Sequence, residues 1–209
     1  MAQQSIWIDT NIPDEIIDII ERDVQQFDNK MEVSKIAGDL VDTSVRNSTN
    51  TWIPSSHWVC GFLWHYVLKA NKQNFRYDLD TIDFGSVQYT RYEKGQFYNW
   101  HQDADIFTDT DYTPELKFGE IDTTKGINDF VRENTGKIRK LSFILQLSEF
   151  NEYDGGQVQL LSPGNKKYFV PKTKGTLIFF DSRTPHRVLK VTRGVRRSIV
   201  GWVNGPRWR

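Results

Sequence analysis

The sequence predicts an α+β chain that is mainly β, with a double-stranded β-helix (jelly-roll) core set behind supporting N-terminal helices. Two observations carry this. Apolar residues at helical spacing are confined to the first 75 or so positions, and from Thr81 onward the chain breaks into short alternating or apolar runs bounded by Gly, Pro, Asn and Asp. No internal repeat or low-complexity tract interrupts this order.

Taken in order, Ile6-Trp7-Ile8 reads as a short strand. Pro13 fits a first helical turn, Asp14 and Glu15 suit the positive helix start, and Ile16, Ile20, Val24 and Phe27 recur at helical spacing to about residue 28. A second helix is expected after Ser55 or Ser56 as cap, running through Val59, Phe62, Leu63, Tyr66, Val67 and Ala70 to about Asn74. Strand-like runs follow at 86–92, 141–147, 158–161, 176–180 and 198–203. Two packed sheets of this kind can hold a metal and ligand pocket at one mouth. Residues 104–136 are polar, acidic and irregular, an insert long enough to be a lid over a site or a disordered loop, with Gly119, Gly126 and Gly136 as pivots or ordinary turns.

The expected organisation is one domain over 1–209, with about 1–80 as helical support and about 81–209 as the core. A length of 209 residues suffices for such a core without disulfides, and the single Cys60 excludes an internal one. With no signal-like N-terminal stretch and no run approaching about 18 apolar residues, a reducing, cytoplasmic setting and no membrane span are expected. Zero net charge argues against bulk attraction to nucleic acid. The charge is uneven, however: from Asp103 to Asp122 seven acids face one Lys117, whereas beyond Pro163 Asp181 is the only acid among twelve Lys and Arg. Both runs fit solvated faces, and the acidic one would also suit a cationic peptide partner.

The candidate chemistry lies in His101 and Asp103, followed by His186 and Arg196. At i and i+2 of an extended strand, His101 and Asp103 point to one side of a sheet and can grip one ion together. His186 follows an apolar run and a turn and is placed to start a neighbouring strand. One carboxylate and two imidazoles occupy one face of an octahedral Fe(II) and leave the opposite face open for cosubstrate and O2. In Arg196-Arg197-Ser198-Ile199-Val200-Gly201-Trp202, alternation sets Arg196, Ser198, Val200 and Trp202 on a common face, and a guanidinium there suits the far carboxylate of a dicarboxylate. Alternation turns Arg197 the other way, towards solvent. A lone His-x-Asp is a common surface-strand pattern, so the combination carries the reading. His57 and His65 sit on the second helix and are assigned no chemistry.

These stretches, together with Arg91-Tyr92-Glu93-Lys94-Gly95-Gln96-Phe97-Tyr98, Arg139-Lys140-Leu141-Ser142 and Gly155-Gly156, resemble the Fe(II)- and 2-oxoglutarate-dependent dioxygenases, within them the prolyl 4-hydroxylase-like group, over about residues 35–205. The resemblance implies His101, Asp103 and His186 as iron ligands and Arg196 as anchor of the 2-oxoglutarate distal carboxylate, with Tyr92, Ser198 and Gln146 as further cosubstrate contacts. It also implies Tyr98, Arg139 and Trp202 as lining of a peptide groove. Three features depart from the group's pattern: Arg where collagen-type members often carry Lys, Gln146 where several relatives place an aromatic residue, and the long 104–136 insert. The implied activity is hydroxylation of a C–H bond, best of peptidyl proline, with Fe(II), 2-oxoglutarate and O2 consumed or held, succinate and CO2 released, and ascorbate as a reductant. Other readings stay open: a hydroxylase of a free amino acid or small molecule, and a non-catalytic jelly-roll binding module or hydrolase using another metal. A nucleic-acid dealkylase would need an Arg-rich signature behind the last His that this chain does not reproduce.

Overall fold

The computed structural model of the chain describes residues 6–36, 40–104, 137–162 and 164–208. Its elements run β1 (Ile6–Asp9), α1 (Asp14–Gln25), β2 (Glu32–Val33), β3 (Arg46–Asn47), β4 (Thr49–Ile53), α2 (Trp58–Ala70), β5 (Thr81–Ile82), β6 (Val87–Tyr92) and β7 (Phe97–His101). They continue with β8 (Lys137–Gln146), β9 (Tyr153–Gly155), β10 (Val158–Ser162), β11 (Lys166–Phe169), β12 (Leu177–Asp181), β13 (His186–Val188), β14 (Val191–Gly194) and β15 (Arg196–Pro206). Among the described residues, one sheet has the order β1-β12-β8-β15-β6-β4-β2, with β5 also paired to β15; a second has β11-β10-β13-β7-β3, and β14 pairs β9. All pairings are antiparallel. This is the jelly roll the sequence predicts.

Strict alternation along the central strands builds two cores at once. On β8 and β12, Leu141, Phe143, Leu145, Leu177 and Phe179 join Ile17, Ile20 and Val24 of α1 and Leu63 and Val67 of α2 in a helix-facing cluster. The intervening Ile144, Ile178 and Phe180 meet Val158, Leu160 and Val188 of the second sheet. Polar residues on that inner face, Ser142, Gln146, Arg196 and Ser198, are thereby drawn between the sheets. Gly201 lies opposite Phe143, and a Cβ there would come within 2.2 Å of the Phe143 ring, so the glycine makes the space the ring fills. Phe143 is fully buried, so Phe143→Ala is expected to cost about 3–5 kcal/mol; a lower denaturation midpoint at unchanged m would register it, and a shift below about 1 kcal/mol would contradict this packing account.

Several local expectations need correction. Helix α2 is capped by His57, whose Nδ1 accepts from the Val59 N–H at 3.4 Å, rather than by Ser55 or Ser56. Pro13 stands at the cap of α1 rather than inside its first turn. The first 80 residues are not helical support alone, because β1 and β4 extend the large sheet at both flanks and β3 pairs with β7. The insert and its glycines lie outside the described residues apart from Ala104. No described helix is long and apolar enough to cross a membrane.

Candidate metal centre

Antiparallel pairing of β7 and β13 sets His101 directly opposite His186. His186 opens β13 because the chain turns tightly just before it: the Thr184 N–H donates to the Asp181 carbonyl at 2.8 Å, and Pro185 supplies no donor of its own. Strand β7 ends at His101, so Asp103 is not a strand partner of His101 as expected from i, i+2 spacing. It lies just past the strand, where its N–H donates to the Ser182 carbonyl at 2.9 Å. The result is still convergence: one ligand atom from each of His101, Asp103 and His186 lies within 4.8 Å of the others. Asp103 Oδ1 is 3.8 Å from His101 Nε2, and Oδ2 is 3.4 Å from His186 Nε2.

Both imidazoles are oriented in the same way. His101 Nδ1 lies 2.8 Å from the Asn99 carbonyl and His186 Nδ1 3.0 Å from the Thr184 carbonyl. A carbonyl only accepts, so each Nδ1 carries the proton and each Nε2 turns a lone pair towards Asp103. Burial, reinforced by His186, holds His101 down to about 4, which keeps it in the neutral, ligating form at neutral pH. Burial alone would raise the Asp103 carboxyl, but His186, His101, Ser142 and Arg139 together bring it below the usual range. The Ser142 hydroxyl donates to Asp103 Oδ2 at 2.7 Å. Tyr98 stacks on His101 with centroids 3.5 Å apart, and the Phe180 ring edge meets His186 at 4.8 Å. The donor set, its tautomers and its charge fit a divalent transition metal with open positions.

Arg196 enters the same interior from β15, opposite Tyr92 on β6, with its guanidinium carbon 5.6 Å from the Tyr92 ring. It is 2% exposed, and among the described residues no carboxylate lies within ion-pair distance of it. Its Nη1 donates to Ser198 Oγ at 3.1 Å. Arg197, by contrast, faces α1 and is not merely solvated: it pairs with Glu21 at 2.8 Å and Glu152 at 3.2 Å. Beside Arg196 a narrow cleft is walled by Ile144, Val158 and Ile178, and Gln146, Tyr153 and Thr176 also line it. Thus Arg196, Tyr92, Ser198 and Gln146 gather at one end of the interior. The triad gathers at the end marked by Ser142, which is four residues from Gln146 along β8.

The three groove candidates are placed differently. Tyr98 supports His101 from below, its phenol pushed up to about 12 by burial. The Arg139 guanidinium is engaged by Asp83 at 2.7 Å and lies 4.3 Å over the Trp202 ring. Trp202 is buried and meets the half-exposed Trp52 at 6.0 Å, and its indole N–H has no partner among the described residues. Sequence reasoning passed over Ser142, Tyr153, Thr176 and Lys172. The inward parity of Ser142 with Ile144 and Gln146 was a usable signal for the first; the others reach the cleft only through long-range pairing.

A profile of the 2OG-Fe(II) oxygenase superfamily matches residues 87–204. A PKHD-type hydroxylase of Parvibaculum lavamentivorans is 41% identical over 63 residues, which cover 30% of this chain and 28% of that protein; the chain thus spans under a third of that relative's length. Among solved structures, a Pseudomonas putida prolyl-4-hydroxylase superposes with a TM-score of 0.68 at 20% identity, covering 98% of this chain and 94% of that one. A Trichoplax adhaerens prolyl hydroxylase, solved with a peptide fragment of a hypoxia inducible factor oxygen degradation domain, gives 0.71 at 16% identity, covering 95% and 83%. At such identities the structures speak for the fold, whereas the profile spans both histidines, the aspartate and Arg196. On the strength of that match over more than half its length, the chain belongs to the 2OG-Fe(II) oxygenase superfamily.

Proposed function

We propose that the chain is an Fe(II)- and 2-oxoglutarate-dependent hydroxylase acting on peptidyl proline, with residues 1–209 working as one catalytic unit. The observation that carries the cosubstrate assignment is a buried guanidinium with no acid beside it among the described residues, on the inner face that also carries Ser142 of the metal cluster. A buried cation is costly unless an anion joins it, and a dicarboxylate supplies that anion. His101, Asp103 and His186 would hold Fe(II), and Arg196 would hold the distal carboxylate, with Ser198 fixing one arm of its fork. When bound, iron and cosubstrate supply the oxidising power for inserting one oxygen atom of O2 into a substrate C–H bond, the other passing to succinate as CO2 is lost.

The chain's own residues do the positioning. Ser142 and the two backbone carbonyls aim the ligands, Tyr98 keeps the His101 ring from turning, and Ile144, Val158 and Ile178 keep the interior dry. The pairing of Glu21 with Arg197 ties α1 to the strand that bears Arg196, which supports the single-unit reading. Support for a prolyl substrate comes from the named relatives, with Tyr98 stacked on His101 and Trp202, under the Arg139 guanidinium, opposite Ser142 as the groove candidates. A cationic peptide would complement the acidic run after Asp103. The free, buried Cys60 thiol suits a reducing, cytoplasmic setting.

The test is hydroxylation of a peptide library read by mass spectrometry, with Fe(II), 2-oxoglutarate and ascorbate as added reductant. A gain of about one oxygen mass on proline, matched by succinate, is expected. Oxidation of free amino acids alone would move the substrate class to small molecules.

A further inference from the structure

Resting on the reading of His101, Asp103 and His186 as iron ligands, we propose that Tyr77, Arg183 and Trp208 are positioning residues, an outer brace that fixes the 181–184 turn and, through it, two of the three ligands. The turn is shared scaffolding. The Ser182 carbonyl accepts from the N–H groups of Asp103 at 2.9 Å and Ala104 at 3.1 Å. The Ser182 hydroxyl lies 3.0 Å from Ser142 Oγ, which itself holds Asp103 Oδ2. The Thr184 carbonyl fixes His186 Nδ1, and the Arg183 carbonyl accepts from the Gln102 side-chain amide. A tilt of the turn therefore shifts Asp103 and His186 together, whereas His101 takes its aim from Asn99 and Tyr98 on β7.

What holds the turn lies outside the metal cluster. Asp181 and Arg183 close it with a bidentate pair, Nε to Oδ1 at 2.8 Å and Nη2 to Oδ2 at 2.6 Å. Tyr77 donates its hydroxyl to Asp181 Oδ2 at 2.8 Å. Burial would raise the Asp181 carboxyl, but Arg183 and Tyr77 bring it below the usual range, so the pair stays charged at neutral pH. Trp208, just past β15, completes the brace. The Arg183 guanidinium carbon lies 4.3 Å over its indole and Lys140 Nζ 4.4 Å over it, and the Tyr77 ring meets it edge-on with centroids 4.7 Å apart. The Lys140 carbonyl also accepts the Ser182 N–H at 3.1 Å, which ties the same residue to the turn.

Two backbone features make the brace possible. Arg76 takes φ +55°, the left-handed region for a residue with a Cβ, and the Asn71 side chain bonds the Tyr77 N–H at 2.8 Å and the Tyr77 carbonyl at 2.9 Å. A strained but pinned turn thus delivers the tyrosine to Asp181. Gly205 on β15 lies so close to this segment that a Cβ would come within 2.1 Å of the Asp78 carbonyl oxygen and 3.0 Å of Lys140 Cδ. The glycine lets the Tyr77 segment and the Lys140 stem close on Trp208 together.

The test uses Co(II) as the probe in place of Fe(II). Trp208→Ala should weaken Co(II) binding, measured by calorimetry, about fivefold, the order of one cation–π contact, and Trp208→Phe should restore it to within about twofold. In the Co(II)-loaded protein each ligating imidazole gives a paramagnetically shifted Nδ1–H resonance; Trp208→Ala should move the His186 signal and leave that of His101 in place. Trp58→Ala, which removes a similarly exposed indole from α2, should change neither affinity nor signals. Unchanged Co(II) affinity in Trp208→Ala, or an equal loss in Trp58→Ala, would overturn the proposal. His101→Ala is the separate control. If it keeps Co(II), the triad reading itself has failed; if it loses the metal while Trp208→Ala binds normally, only the brace falls.

Discussion

His101→Ala is expected to abolish both Fe(II) retention and 2-oxoglutarate turnover. The cluster is a minimal one: three protein ligands, each contributing one atom, gathered within 4.8 Å. Removing one leaves two, and the cavity left where the imidazole stacked on Tyr98 lets water in beside the remaining pair. Residues that merely orient a ligand typically change metal affinity by about 10- to 100-fold, so loss of a ligand should exceed about 100-fold. Ser142→Ala provides the graded comparison. It leaves three ligands but takes the hydroxyl off Asp103 Oδ2, and should fall inside the 10- to 100-fold range. Iron titration by calorimetry under nitrogen, with succinate release measured in parallel, separates the two. Normal succinate formation by the His101 variant would end the triad assignment, and an equal loss in both variants would remove the distinction between holding the metal and aiming a ligand.

Arg196→Ala has the second largest expected effect, and its sign depends on whether cosubstrate is present. A carboxylate paired with a buried guanidinium loses about 3–5 kcal/mol when the cation is deleted, equivalent to roughly 10²- to 4 × 10³-fold in 2-oxoglutarate affinity. Iron affinity should be unaffected, because Arg196 belongs to the Gln146 end of the interior rather than the Ser142 end. Stability in the absence of cosubstrate should not fall. Among the described residues this buried cation has a serine hydroxyl and two tyrosines beside it and no acid, so the variant sheds a desolvation cost along with the side chain. Wild-type protein should gain about 2.7 kcal/mol at a ligand concentration 100 times Kd, and the variant should gain almost nothing under the same conditions. Thermal melts with and without 2-oxoglutarate measure both halves. A destabilised variant that still binds cosubstrate would show that Arg196 serves packing instead. Arg197 cannot substitute, since Glu21 and Glu152 hold it on the opposite face.

Much of the site follows from parity along single strands. Arg196, Ser198, Val200 and Trp202 share a face because a strand repeats every two residues, and the same rule turns Arg197 outward. Naming His101, Asp103 and His186 as candidate ligands needed only residue types and the turn before His186. Other features had no such local signature. Strands β2 and β3 are two residues long, too short for any period to show, and their existence depends on the neighbours they pair with. His57 displaced Ser55 and Ser56 as the cap of α2 because its ring nitrogen meets the Val59 N–H, a matter of side-chain reach that composition does not encode.

The sequence by itself determined the two-sheet class, the three candidate ligands and the inward face of β15, since these rest on residue types and, for the strands, on short-range periodicity. Tertiary structure alone decided that His101 stands opposite His186, that Ser142 holds Asp103, and that Tyr153, Thr176 and Lys172 meet at the cleft beside Arg196. Those meetings bring together residues as far as 85 positions apart. Which strands pair, and in what register, is settled by burying two apolar cores at once, a condition on the whole chain that no local window contains.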